Sequence, residues 1–251
     1  MTTAETADGV LLIHAFPMDA SMWQRQIDDL RAGGWTVVAP SLPGFGGAEG
    51  GGDVMTMRAA AAHCERALDE AGVDRAVVCG LSMGGYVAFE LWRSARGRIA
   101  GLVLANTRAG ADTPEAAEGR RSLAARLRTE GNGFLVADPP PLLGERAPAD
   151  LWRRVKETIA AQPAESIAAA AEGMAERPDS TDDLATIDVP ALVLTSDGDT
   201  LITPDVSLSM ADRIGGADRV TLEGAGHLSN LESPDGFSRA LRAFLRRSGR
   251  G

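Results

Sequence analysis

Hydrophobic and polar positions alternate along the chain with two different periods. Short apolar runs bounded by turn residues, at Val10–His14, Thr36–Ala39, Arg75–Cys79, Leu102–Ala105, Ala191–Thr195 and Arg219–Leu222, predict strands. Between them, apolar residues recur at helical spacing in Ala20–Ala32, Met57–Ala71, Met83–Ser94, Pro204–Arg213 and Pro234–Arg246. Ser233 and Pro234 supply an N-cap and a first helical residue for the last of these. Strand followed by helix, repeated, predicts an α/β fold: a doubly wound parallel sheet of six strands with helices on both faces. One region breaks the alternation. From about Arg108 to Asp183 there are only alanine-rich helical patterns, interrupted at Pro139-Pro140-Pro141, Pro163 and Pro178, which predicts a helical insertion between two strands. Gly44 to Gly52 holds six glycines and predicts a mobile loop.

Composition narrows the function. A chain of 251 residues with 44% hydrophobic content can bury one sizeable core. Its formal net charge of −10 repels phosphate backbones and anionic membranes, so neither nucleic acid nor a membrane surface is an expected partner. No early basic segment leads into a long apolar run, and the expected location is cytoplasmic. Cys64 and Cys79 fall in a helical and a strand pattern and are expected as small buried thiols. His14, His63 and His227 are scattered singly, without the spacing of a metal site. Lys156 is the single lysine, on a charged helix face, which leaves Schiff-base and P-loop chemistry without a candidate.

The candidate chemistry centres on Gly80-Leu81-Ser82-Met83-Gly84, a turn between a strand and a helix. So short a turn holds Ser82 in a sparsely populated backbone conformation that tolerates no side chain two positions away, hence the glycines. The hydroxyl is lifted above the sheet, toward the positive end of the following helix. A dinucleotide fingerprint is ruled out, because it needs glycine where Ser82 stands. Serine is a weak nucleophile without a base, and His227, in the loop Gly224-Ala225-Gly226-His227-Leu228 after the last strand, is placed to serve. His14 ends the first strand and is expected to brace a neighbouring loop, while His63 lies mid-helix, packed or solvated. The orienting acid should also follow a strand; Asp199 is preferred, with Asp197, which leaves the strand directly, as the alternative. The order Ser82, Asp199, His227 is that of hydrolases with a nucleophile elbow, not that of chymotrypsin-like or subtilisin-like proteases. Oxyanion donors would be the N–H groups of Met83 and Phe16.

These residues make the chain resemble the α/β-hydrolase superfamily over essentially its whole length. The resemblance rests on His14-Ala15-Phe16-Pro17, Gly80-Leu81-Ser82-Met83-Gly84-Gly85, Asp199 with Thr203-Pro204, and the run from Gly224 through His227 to Leu231-Glu232-Ser233-Pro234. Within the superfamily it is similar to small bacterial carboxylesterases and enol-lactonases. The resemblance implies hydrolysis of a small-molecule ester or lactone without a cofactor. It also implies a core of residues 1–107 and 184–251 carrying a helical cap, residues 108–183. Three features depart from the pattern. His14-Ala15 stands where His-Gly is usual; the Asp199–Pro204 segment is one residue longer than usual, which keeps Asp197 open; and nine residues precede Val10, too few for the antiparallel hairpin that normally begins the fold. The expected sheet is therefore wholly parallel, with Thr36–Ala39 as an exposed edge and a candidate homodimer contact.

The expected reaction is acyl transfer through an acyl-enzyme, with a rate that rises with pH as the base loses its proton near neutrality. Arg108, directly after the fourth strand, is a candidate for binding a substrate carboxylate, or else an exposed arginine at a domain seam. Trp152 and Trp92 read first as packing residues, with Trp152 retained as a candidate substrate contact. Perhydrolase chemistry on the same triad, and a slow-turnover ligand receptor on the same fold, are the alternatives. Serine at position 82 disfavours the aspartate-nucleophile dehalogenases and epoxide hydrolases.

Overall fold

Charge-free runs of β-branched and aliphatic residues can be buried on both faces, and in the computed structural model of the chain, which describes residues 7–50 and 52–248, they form the middle of one sheet. The strands are β1 (Gly9–Ile13), β2 (Thr36–Val38), β3 (Ala76–Leu81), β4 (Ile99–Ala105), β5 (Ala191–Ser196) and β6 (Asp218–Leu222). Their spatial order is β2-β1-β3-β4-β5-β6, and every pair is parallel. β1, β3, β4 and β5 are buried along their whole length. β6 alternates half-buried and exposed positions, with Leu222 alone buried, and β2 is a three-residue strand, as befits the two edges. The expected Thr36–Ala39 edge is thus an edge strand of the sheet.

Helices cover both faces: α1 (Gln24–Ala32), α2 (Met57–Glu70), α3 (Met83–Ser94), then α4 (Pro114–Glu130), α5 (Gly133–Ala137), α6 (Ala149–Ala161) and α7 (Ala164–Ala175), and finally α8 (Pro204–Ala211), α9 (Ser229–Glu232) and α10 (Pro234–Ser248). On α10, Phe237, Leu241, Phe244 and Leu245 recur at helical spacing and are buried, with Phe237 packed on Trp23. Each such side chain contributes about 1.5–3 kcal/mol through burial. The interruption foreseen between the fourth and fifth strands is α4 to α7. Alanines 168–171 of α7 are buried, and Gly173 lets the helix lie against the 55–56 backbone, where a Cβ would come 1.8 Å from the Met55 carbonyl oxygen.

The glycine-rich loop differs from its expectation in its first half. Gly44 N–H donates to Glu49 O and Ala48 N–H to Phe45 O, and the Phe45 ring is fully buried, edge-on to His14. One buried aromatic and a set of turn hydrogen bonds hold this stretch in place, so composition alone overstated its freedom; position 51 lies outside the described residues. No helix among the described residues is long and apolar enough to cross a membrane.

Candidate active site

The strand order reverses direction at β1: β2 lies on one side, and the chain then crosses to β3 on the other. A crevice opens at the carboxyl ends of the strands at such a switch, and side chains from successive strand ends converge there. Ser82 follows β3, Asn106 and Thr107 follow β4, Asp199 follows β5 and His227 follows β6.

Ser82 has φ 55 and ψ −114, a conformation that costs a non-glycine residue about 1–3 kcal/mol and persists only when its surroundings enforce it. They do so through three hydrogen bonds: Ser82 N–H to Ala105 O at 2.9 Å, Thr107 Oγ1–H to Ser82 O at 2.8 Å, and Gly85 N–H to the same carbonyl at 2.9 Å. The flanking glycines are required for a reason more specific than crowding of Ser82 itself. A Cβ on Gly80 would lie 2.2 Å from the Gly84 carbonyl oxygen, and one on Gly84 would lie 2.2 Å from the Ile13 carbonyl oxygen. The turn is compressed against β1 as well as against itself.

His227 joins the two other groups. Its Nε2 is 2.8 Å from Ser82 Oγ and its Nδ1 is 2.8 Å from Asp199 Oδ2. A carboxylate accepts only, so Nδ1 carries the proton and Nε2 is free to accept from the serine hydroxyl. Asp199 is buried, and burial by itself raises its pKa; hydrogen bonds from His227, from the Ile202 amide and from Asn106 outweigh this and hold the carboxyl below the usual carboxylate range. Its Oδ1 also accepts from the Leu201 and Ile202 amides at 2.9 and 3.0 Å. Asp197 takes no part: it is exposed and accepts from Gly224 N–H at 2.7 Å, capping the turn. The two aspartates are thus separated by geometry where the residue pattern left both open.

Asn106 escaped the sequence reading. It has φ 43, is fully buried, and its Nδ2 donates to Asp199 Oδ2 at 2.9 Å and to Ser196 Oγ at 2.8 Å, while its Oδ1 accepts from Ser229 Oγ at 2.6 Å. The signal was an asparagine, tolerant of positive φ, at the carboxyl end of a buried strand.

Ser82 and His227 lie at a cavity of about 240 Å³. Phe16 lines it from the loop after β1, and Met83 begins α3, where an N–H has no acceptor within the helix. Arg108, Arg120, Leu123, Leu142 and Met174 line the other side, all from the chain between β4 and β5. Larger surface depressions, of about 460, 560 and 410 Å³, contain no part of this relay. Trp152 lines the first of them, beside Val136 and Lys156, and is not brought to the Ser82 cavity. The reason is rotational: Leu151, Val155 and Ile159 form the buried stripe of α6, and Trp152 sits one residue round from it. Arg108 does reach the cavity. Its guanidinium pairs with Asp112 at 2.5 Å, and Asp112, its side chain wholly buried, also binds Arg120 at 2.5 Å and Arg177 at 2.9 Å. Burial would raise the Asp112 pKa, but the hydrogen bonds from Arg177 and Arg120 lower it to about 2. Three guanidinium groups around one carboxylate leave an excess of positive charge on that wall.

The other histidines stand apart. His14 Nε2 accepts from Leu42 N–H at 2.9 Å and Nδ1 faces Ala15 O at 3.0 Å, the bracing role expected of it, and His63 Nε2 lies 3.1 Å from Ser41 O. Both cysteines are buried, and burial pushes the Cys64 thiol up to about 12 and raises that of Cys79 as well. Among the described residues, no group of three or more His, Cys, Asp or Glu side chains is arranged to hold a metal ion.

A sheet with four strand ends converging on a serine, a histidine and a buried carboxylate defines a hydrolase class, and the chain belongs to the alpha/beta hydrolase family, whose sequence model matches residues 10–240. Among particular relatives, it is 25% identical over 249 residues to 3-oxoadipate enol-lactonase 1 of Acinetobacter baylyi, covering 96% of this chain and 90% of that protein. A thermophilic esterase from Thermogutta terrifontis, solved with malate bound, superposes with a TM-score of 0.93 at 40% identity, covering 98% of this chain and 92% of that one. The enol-lactonase from Burkholderia xenovorans superposes with a TM-score of 0.83 at 28% identity, covering 95% and 92%.

Proposed function

We propose that the protein is a serine hydrolase of small carboxylic esters. The observation that carries this reading is the unbroken chain of two 2.8 Å hydrogen bonds from Ser82 through His227 to Asp199, opening on a cavity. His227 takes the hydroxyl proton as Ser82 Oγ attacks the ester carbonyl carbon, and Asp199 stabilises the imidazolium that forms. The amides of Met83 and Phe16 receive the oxyanion. Collapse of the tetrahedral intermediate expels the alcohol, which takes the proton from His227; water then repeats the attack on the acyl-serine. The segment 108–183 acts as a cap that shapes the cavity. At about 240 Å³ the cavity falls below the roughly 300–1,000 Å³ of sites for drug-sized ligands, which favours short substrates.

A second reading, hydrolysis of a lactone or ester that carries a carboxylate, is favoured by Arg108 and Arg120 on the cavity wall and fits the enol-lactonase relatives. A panel of p-nitrophenyl esters of rising chain length, run beside neutral and acidic lactones with wild type and Ser82→Ala, tests both. Multiple turnovers lost in the variant support the hydrolase; a single covalent event without turnover contradicts it and points to a ligand receptor.

A further inference from the structure

Glu232 stands outside the relay, yet both of its oxygens are engaged. Oε1 accepts from Gly226 N–H at 2.7 Å and Oε2 from Gly144 N–H at 2.9 Å. Gly226 immediately precedes His227. Leu228, which immediately follows it, donates its N–H to Leu142 O at 2.8 Å. The residues on either side of the base are therefore tied, one through Glu232 and one directly, to the segment between α5 and α6. That same segment lines the cavity through Pro140 and Leu142. The two backbones touch: a Cβ on Gly226 would lie 2.2 Å from Gly144 N and 2.6 Å from the Leu143 carbonyl carbon.

The pattern demands a carboxylate. Two N–H donors converge on two oxygens, whereas the amide of glutamine would turn an NH₂ group toward one of them. Glu232 is half-buried, a position that disfavours its charge: burial, with a smaller contribution from the negative charge of Asp199, raises its pKa above the ordinary range despite the two amides. The charged groups that interact with it are Asp199 and His227.

We infer that Glu232 is a positioning residue for His227, holding the base in register with Ser82 by clamping its loop to the cavity-lining segment Pro140–Gly144, and adding its negative charge to that of Asp199 when the imidazolium forms. This rests on the serine-hydrolase reading above. The test is steady-state kinetics on one p-nitrophenyl ester across pH, with wild type, Ser82→Ala, Glu232→Gln and Gly144→Ala, each checked by circular dichroism and melting temperature. A misplaced base costs about 10- to 100-fold, so Glu232→Gln should lose that much kcat with KM changed by less than about threefold. The acid limb of its kcat/KM profile should move to lower pH, because a negative charge near the imidazolium has gone. Gly144→Ala puts a methyl group 3.2 Å from both Glu232 Oε2 and Gly226 N, keeps the charge, and should lower kcat without moving that limb. Wild-type kcat and pH profile in Glu232→Gln, or a loss of kcat with the profile unmoved and KM raised equally, would overturn the inference. Should Glu232→Gln fail to fold, Gly144→Ala decides alone, and wild-type kcat there overturns it. Failure of the underlying reading is distinguishable, since wild type would then turn over no ester.

Discussion

The carboxyl edge of the sheet and the helical segment of residues 108–183 meet at one cavity but are built by different rules. At the sheet edge each functional group hangs from a buried strand, and its place is enforced by backbone: Ser82 at φ 55, Asn106 at φ 43, and glycines at 80 and 84 that admit no side chain. In the helical segment the cavity wall is made of side chains, Arg108, Arg120, Leu123 and Met174, the two arginines held by one buried carboxylate, Asp112. Backbone placement is stiff and leaves few choices of residue; side-chain placement tolerates exchange at the cost of a changed pocket. Under the proposed function, the first region would carry the reactivity and the second the choice of substrate.

Removing Ser82 should have the largest effect: Ser82→Ala lowers kcat by at least about 10⁴-fold on every substrate, measured by initial rates. Next, Asp199→Asn reverses the tautomer preference of His227 and should lose about 10³- to 10⁴-fold, again on all substrates. Asp197→Asn, which touches only the Gly224 turn, should stay within about twofold. A smaller and selective effect belongs to the helical segment. Arg120→Met should raise KM for carboxylate-bearing substrates by about 10-fold or more and leave neutral esters near wild type; a uniform loss across both would erase the distinction between the regions.

His14, directly after β1 and outside the relay, is expected to act on stability. Burial lowers its pKa from 6.5 to about 4, and the bond from Leu42 N–H requires the neutral ring. The unfolded chain therefore takes up this proton first, and the stabilising contribution of neutral His14 is lost as pH falls from 6.5 toward 4, up to about 3 kcal/mol. His14→Gln should flatten that dependence, read from urea midpoints at pH 7 and 5.

Much of the sheet edge was legible in the sequence because its constraints are local. A glycine at 80 and at 84, a buried strand before Ser82 and a helix after it leave one geometry, and α3 falls on Met83–Ser94 as the helical pattern predicts. All six strands were visible as short runs, with Thr36–Ala39 expected at an edge, but the order of the other five came from the structure. Asn106 and Glu232 were not foreseen, because their roles are made by partners some 90 residues away along the chain, Asp199 for one and Gly144 for the other. The placing of Trp152 failed for the same reason: which face of α6 turns inward is decided by α5 and the core, not by a tryptophan's chemistry. The choice between Asp197 and Asp199 likewise needed the position of His227.

The account stands on one claim, that His227 and Asp199 activate the hydroxyl of Ser82. Labelling with a fluorophosphonate, followed by intact mass and peptide mapping, tests it most directly. One adduct per chain, on Ser82, formed much more slowly in Asp199→Asn and absent in His227→Ala, is the predicted result. An unlabelled wild type, an adduct at another residue, or equal labelling rates in all three proteins would contradict it.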